Sequence, residues 1–427
     1  MFAFTAVELQ AATFGFYDPR SLAMGGTGVS HANIDHAAYF NPALLSVAEE
    51  DDDFSLLIPS VGIQVYDPEN LWDSIEAYQD GQYETTFNNT MDAFNTASAA
   101  DKKARAVDVS TSAQQLLDGL NAMAGKELDF EVNAGLGVAV PGKRLGLAVS
   151  ANGRVMGGVV LDVTAGDNLL IQKYIDTMIC IASDTAEGQC HADIATDTSD
   201  PPDGIPDVII DPSPALTSTA SLRGAMLVEG GLSLSHEFES LDKLSIGITP
   251  KVVQVTTFDY KIGVENAELD SDAVDKGKRV YDDTNFDLGL AKRLDKNWKA
   301  GLMIKNVMRK EYKTVLGNTI VLEPQARAGV SHHTNWTTVA LDLDLTENDR
   351  TGLTGEATRY IAIGMELDVS LFQFRAGVRR NLSAESAQVK DMLSAGLGVY
   401  IAGVHADVGI AKNDDEFAAA LQLGFQF

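Results

Sequence analysis

From Phe54 onward, apolar and polar residues alternate along the chain in run after run. A strand points successive side chains to opposite faces, so each run has one apolar face and one small or polar face. Fourteen strands are predicted, approximately 54–65, 127–140, 144–163, 219–237, 241–262, 284–293, 297–310, 319–332, 335–346, 356–368, 370–381, 390–401, 402–412 and 415–427. The connections alternate between long (66–126, 164–218, 263–283, 347–355, 382–389) and short (Pro141 to Lys143, Leu294 to Lys296, His333 to Asn335, Ala402 and Gly403). An up-and-down barrel with tight turns at one end and long loops at the other produces that alternation. The fold class expected is therefore all-β, a transmembrane antiparallel barrel of about fourteen strands.

The alternation also assigns facing. Val404, Ala406, Val408 and Ile410 point outward, with His405, Asp407 and Gly409 in the lumen; Val339, Leu341, Leu343 and Leu345 point outward, with Asp342 and Asp344 inside. Phe372, Phe374, Ala376 and Val378 face out against Gln373, Arg375 and Arg379, and Leu145, Leu147 and Val149 against Asn152 and Arg154. An Arg or Lys on the lipid face at the midplane costs roughly 2–4 kcal/mol, so the charges belong on the lumen phase. The last segment, Phe417 to Phe427, alternates without a fault and ends on an aromatic residue. A closing outer-membrane strand has this pattern, which the barrel assembly machinery reads.

Two segments break the period, 69–125 and Phe14 to Val47. Residues 69–125 read as helical, with Pro68 near the start of an amphipathic run, and form an insertion within the first outer loop, 66–126. The opening MFAFTAVELQAA (1–12) has no basic start and carries Glu8, so it reads as a signal remnant or a tag outside the fold.

Composition narrows the class. A chain of 427 residues with 45% hydrophobic content contains no run near the roughly 18 apolar residues of a membrane helix. A barrel needs none, because closed strands satisfy one another's backbone groups. The net charge of −29 excludes nucleic acid as a partner, since binding phosphates needs clustered Lys and Arg. Acidic runs such as Glu49 to Asp53 and Glu265 to Asp283 read as solvated loops or as cation bridges to outer lipopolysaccharide.

The N-terminal stretch FGFYDPRSLAMGGTGVSHANIDHAAYFNPALL resembles the FadL and PorV type of outer-membrane barrel, closest to the group labelled conjugal transfer protein TraF. It lacks the C-x-x-C of the thioredoxin-like protein sharing that label. The resemblance implies a plug over 13–53 that includes Arg20, Gly25, Gly26, Gly28, Asn41 and Pro42, and a barrel over 54–427. Read from the residues alone, the glycines permit unusual backbone angles or close approach, and Asn41 caps a helix with Pro42 at its first position. The resemblance further implies passive uptake of hydrophobic or amphipathic small molecules, with a non-transporting conjugation- or secretion-associated scaffold as the alternative. Gly153, Gly157 and Gly158 mark either a lateral opening in the third strand, as the resemblance suggests, or ordinary barrel corners.

No catalytic set is present: there is no G-x-S-x-G elbow and no His pair with metal-ligand spacing, so the protein is not expected to be an enzyme. Arg154, Arg223, Arg327, Arg375 and Arg379 would either bind an anionic headgroup of a ligand or pair with lumen acids such as Asp342, Asp344, Glu366 and Asp407. Asp200, Asp203, Asp207 and Asp211 around Gly204 form a candidate calcium loop, with an acidic solvated loop as the alternative. Cys180 and Cys190 would close a loop disulfide in an oxidising compartment. No other cofactor is expected. The expected partners are outer-membrane lipid and lipopolysaccharide and a hydrophobic ligand or detergent.

Overall fold

The computed structural model describes residues 8–9, 14, 18–47, 53–183, 191, 193–198, 206, 208–263, 276–349, 357–383 and 390–426. Fourteen strands close into a barrel: β1 (Ser55–Tyr66), β2 (Glu127–Val140), β3 (Gly146–Asp162), β4 (Thr219–Phe238), β5 (Leu244–Gly263), β6 (Lys278–Arg293), β7 (Trp298–Lys305), β8 (Gln325–His333), β9 (Thr337–Asp344), β10 (Tyr360–Val369), β11 (Phe372–Asn381), β12 (Met392–Ile401), β13 (Val404–Lys412) and β14 (Glu416–Gln426). Each pairs antiparallel with its chain neighbours, and β14 pairs with β1 to close the ring. Closure removes every free edge, so backbone polar groups are satisfied within the wall.

The outer wall is apolar. Val149, Val252, Leu393 and Leu421 are each more than 60% exposed to the surroundings of the isolated chain, on the phase opposite the lumen charges. Trp298 and Trp336 stand exposed at the end that carries the tight turns, where an aromatic girdle meets a membrane interface.

Three features differ from the alternation-based reading. β6 begins at Lys278 rather than near 284. The predicted seventh and eighth strands, 297–310 and 319–332, are shorter: β7 stops at Lys305 and β8 starts at Gln325. Between them Lys310–Lys313 and Thr319–Leu322 form a hairpin outside the barrel sheet. The wall is left at Asn306, whose φ of +51° turns the chain out of extended geometry. Glu8–Leu9, expected to lie outside the fold, add to this hairpin as a parallel strand beside Thr319 and Ile320.

The third strand is unbroken. β3 pairs from Val160 to Leu147 with β2 and along its whole length with β4, which leaves no lateral gap there. Gly157 serves close approach instead: a Cβ would stand 2.8 Å from the Arg223 carbonyl oxygen. A break in register falls in β1, around Pro59, which has no N–H for the ladder.

At the loop end, α3 (Leu71–Gly81), α4 (Tyr83–Asn95) and α5 (Lys102–Met123) occupy the first long connection. Asp67 caps α3 by accepting from the Leu71 and Trp72 amides at 2.6 and 2.9 Å. The second long connection holds α6 (Ala165–Ser183), which the strand pattern did not indicate. Its buried Ile171, Tyr174, Ile175, Met178 and Ile181 recur at helical spacing and pack with Phe87, Met91 and Leu116 into one apolar core. Asp167 pins α6 to the start of β4 through the Thr217 and Ser218 amides.

Candidate functional site

The lumen is filled from both ends. From the turn end, the plug comprises α1 (Pro19–Ala23), α2 (Ile34–Phe40) and a 3-10 turn, Pro42–Ser46. Asp18 caps α1 at 2.6 Å through the Ser21 amide. Asn41 caps the 3-10 turn through Ala43, while its amide group donates to the carbonyls of Val29 and, on β6, Leu290. α1 lies against β11–β14, α2 against β1–β3 and the 3-10 turn against β3–β6.

The wall is shaped to the plug backbone. A Cβ on Gly364 or Gly377 would run into Met24 and Gly25, one on Gly409 into Pro19, and one on Gly289 into Asn41. Within the plug, Gly25 has φ of +75° and lies against the Val378 carbonyl, and Gly28 lies on the Phe40 ring. Gly26 has φ of +92° with open space around it, so its role is conformational.

A chain of charges ties the plug to the barrel. Arg20 forks onto Glu366 of β10 at 2.8 and 2.7 Å and reaches the His31 carbonyl at 2.9 Å. Glu366 also accepts from Arg375 at 2.6 Å, which continues to Asp407 at 2.5 Å. Asp407 meets His405 at 2.8 Å; His405 stands 3.2 Å from Asp35 of α2, and Asp35 stands 3.0 Å from His36. The chain thus runs from plug to wall and back to plug. Independently, Asp342 of β9 accepts from the Gly28 and Val29 amides at 2.8 and 3.1 Å. Arg327 bonds the Gly26 carbonyl and Asp344, and its guanidinium stacks over the Phe14 ring.

Mid-barrel, above the plug, lies a second charged layer. Lys251 contacts Glu229 and Asp287, each at 3.0 Å, and Arg154 is bidentate on Glu131 at 2.8 and 2.6 Å. The cavity between this layer and the plug is about 30 Å³, enough for about one water.

Beyond that layer the lumen turns apolar. Met156 of β3, Ala225 and Leu227 of β4, and Val253 and Val255 of β5 form a continuous patch on the inner wall. Tyr312, Ile320 and Leu322 of the inserted hairpin cover it. The hairpin is held by Asp259, which accepts from Thr314 at 2.6 Å and Asn318 at 2.7 Å, and by Tyr281, which donates to the Lys313 carbonyl at 2.7 Å. At its base, Asn306 is clasped by Asp287 and Lys251.

The five arginines singled out in the sequence all reach acids: Arg154 to Glu131, Arg223 to Asp259, Arg327 to Asp344, Arg375 to Glu366 and Asp407, and Arg379 to Glu416. Of the candidate calcium ligands, Asp200, Asp203 and Asp207 lie outside the described residues, and Asp211 is exposed. Among the described residues no group of three or more His, Cys, Asp and Glu is arranged to hold a metal. Cys180 is buried and disulfide-bonded; Cys190 lies outside the described residues. The sequence reading did not find Lys251, Glu229 or the hairpin as site elements, although the lumen phase of Lys251 and Glu229 was legible from the alternation.

The geometry defines a closed transmembrane β-barrel with a built-in plug. The chain belongs to the family described as "F plasmid transfer operon, TraF, protein", whose model matches residues 38–344. Among solved structures it is similar to the CymD monoaromatic hydrocarbon channel (13% identity, 100% of this chain and 99% of that one, TM-score 0.49). It is also similar to the Ralstonia pickettii toluene transporter TbuX (12%, 96% and 98%, TM-score 0.48) and the Pseudomonas putida toluene transporter TodX (13%, 98% and 98%, TM-score 0.45). No curated protein matches.

Proposed function

We propose that this protein is an outer-membrane channel of the FadL type that takes up small hydrophobic molecules and is closed at rest. The apolar inner-wall patch carries this reading. Side chains lining a water-filled pore are polar, yet Met156, Leu227, Val253 and Val255 make an apolar lumen surface that the hairpin covers. A hydrophobic ligand that displaced Tyr312, Ile320 and Leu322 would find a binding surface of its own kind. The toluene transporters named above are similar in fold, and their ligands are of this class.

The test is uptake of a labelled monoaromatic hydrocarbon into proteoliposomes. The intact chain is expected to speed accumulation over empty vesicles, and Leu227→Lys, which puts a charge in the patch, is expected to abolish the gain. Uptake equal to that of empty vesicles would reject the channel reading.

A second reading, a surface scaffold, has its own observation. Trp72 and Leu169 on the helical cap are 65% and 66% exposed, and Ile179 is also exposed, an apolar outer surface suited to a protein partner. The family description, which names a plasmid transfer operon, supports this reading. Loss of a partner on Trp72→Ser and Leu169→Ser substitution, with no uptake by the intact chain, would favour it.

A further inference from the structure

We propose that one side of the turn-end rim is a binding surface for the anionic phospholipid headgroups of the leaflet it meets. Three successive turns, β2–β3, β4–β5 and β6–β7, each set an exposed leucine close to an exposed cation: Leu145 beside Arg144, Leu241 before Lys243 and Leu294 before Lys296. The leucines are 56%, 50% and 56% exposed, too open for packing to explain them. The other tight turns carry no cation: 334–336 reads Thr-Asn-Trp, 370–371 Ser-Leu and 402–403 Ala-Gly. The cations of the turns therefore gather on one side of the barrel, in a chain whose net charge is −29.

The acids of these turns mostly have duties within the fold. Asp242 is bound by Lys292 at 2.6 Å, and Asp295 accepts from the Asn297 and Trp298 amides at 2.7 and 2.9 Å. Glu239 stands exposed in the second turn. Among the described residues, the side chains of Arg144, Lys243 and Lys296 hold no hydrogen bond or ion pair.

Depth and spacing select a lipid surface over a small anion. On the outward phase beside these turns, His236 meets the Phe238 ring at 4.5 Å and Trp298 meets the His332 ring at 4.8 Å. Aromatic girdles of this kind border the apolar band of a transmembrane barrel, where headgroups lie. Leu145 continues the outward phase of Leu147 and Val149, so the lipid-facing wall runs without a break into the first basic turn. An apolar tip can then enter the interface while the neighbouring cation stays with the phosphates. Neighbouring strands lie about 4.8 Å apart, and each basic turn is two strands from the next, so the three cations spread over about 20 Å of rim. One small anion does not bridge that span; a row of headgroups does.

The experiment uses the full chain in detergent, titrated with phosphatidylglycerol or with phosphatidylcholine of the same acyl chains and read by native mass spectrometry. Phosphatidylglycerol is expected to bind at least about tenfold more tightly. Each cation near a membrane surface is worth roughly fivefold in affinity for anionic lipid, so Arg144→Gln/Lys243→Gln/Lys296→Gln is expected to remove the preference and leave phosphatidylcholine binding unchanged. These are exposed turn positions, and the unchanged phosphatidylcholine binding reports that the barrel is intact. The control Lys261→Gln/Lys276→Gln/Arg279→Gln removes as many exposed cations from the loop end and is expected to keep the preference. Equal binding of the two lipids by the wild type, a preference that survives in the turn variant, or a preference lost equally in the loop-end control would overturn the proposal. So would displacement of phosphatidylglycerol by an equal concentration of inorganic phosphate, which would assign a small-anion site instead.

Discussion

Arg20 and Glu366 meet in a bidentate pair across 346 positions of sequence, and the same carboxylate holds Arg375. One side chain of the barrel wall therefore balances two buried guanidinium groups, one from the plug and one from the neighbouring strand. Breaking one partner of a buried pair costs roughly 3–5 kcal/mol, because the charge left behind stays desolvated. Glu366→Gln is expected to lower the unfolding midpoint and to speed amide exchange across residues 18–47 more than across β1–β5. Uniform exchange in both regions would show that this pair does not anchor the plug.

The lumen glycines make a second prediction. Gly364→Ala and Gly377→Ala place a methyl group on the plug backbone, and overpacking of this kind costs about 1–3 kcal/mol. Gly153→Ala has no heavy atom within 4 Å of the new methyl and is expected to fall within about 0.5 kcal/mol of wild type. Denaturant midpoints of the three variants check the contrast.

The plug also has a pH dependence with a definite sign. Burial opposes a charge on His36, but Asp35 and then Asp18 outweigh it, so its pKa is raised above 6.5. A raised pKa adds stability that is complete below pH 6.5 and is lost as pH rises through the folded-state value. Asp35 is shifted the other way: burial raises its pKa, but His36 and His405 lower it further, so its contribution holds above pH 3.8 and is lost only in strong acid. Protection of the plug against exchange is expected to decline on the alkaline side, and His36→Asn is expected to flatten that decline. A plug equally protected from pH 6 to 9 in the wild type would contradict the assignment.

The alternation revealed the barrel because lipid outside and polar groups inside act on every strand in the same way. The same signal misread residues 306–310 and 319–324 as barrel wall. TIVL continues the apolar character of a strand, and only the Glu323–Pro324 step and the change of direction at Asn306 mark the departure from the wall. α6 was legible from Ile171, Tyr174, Ile175 and Met178 but was hidden within a long loop. Charge partners such as Glu366 for Arg20 were not legible, since lumen phase says that a residue faces inward and not which residue it meets. The plug's imprint was half legible: Gly289, Gly364, Gly377 and Gly409 share the lumen phase of their strands, but what presses on them comes from another part of the chain.

The hairpin tether gives a further prediction. Asp259 holds Thr314 and Asn318, and charge-assisted hydrogen bonds are worth about 1.5–3 kcal/mol each. Asp259→Asn is expected to loosen the hairpin and to raise the affinity for a hydrophobic fluorophore several-fold, read by emission on titration. An unchanged affinity would separate the hairpin from ligand access.

Photolabelling of the intact protein with a small diazirine-bearing aromatic, followed by peptide mapping, tests most directly whether hydrophobic molecules enter the lumen. The account predicts adducts on the lumen phase of β3–β5, at Met156, Leu227, Val253 or Val255, that are competed away by unlabelled toluene. Adducts confined to outward residues such as Val149 and Val252, with none in the lumen, would contradict it.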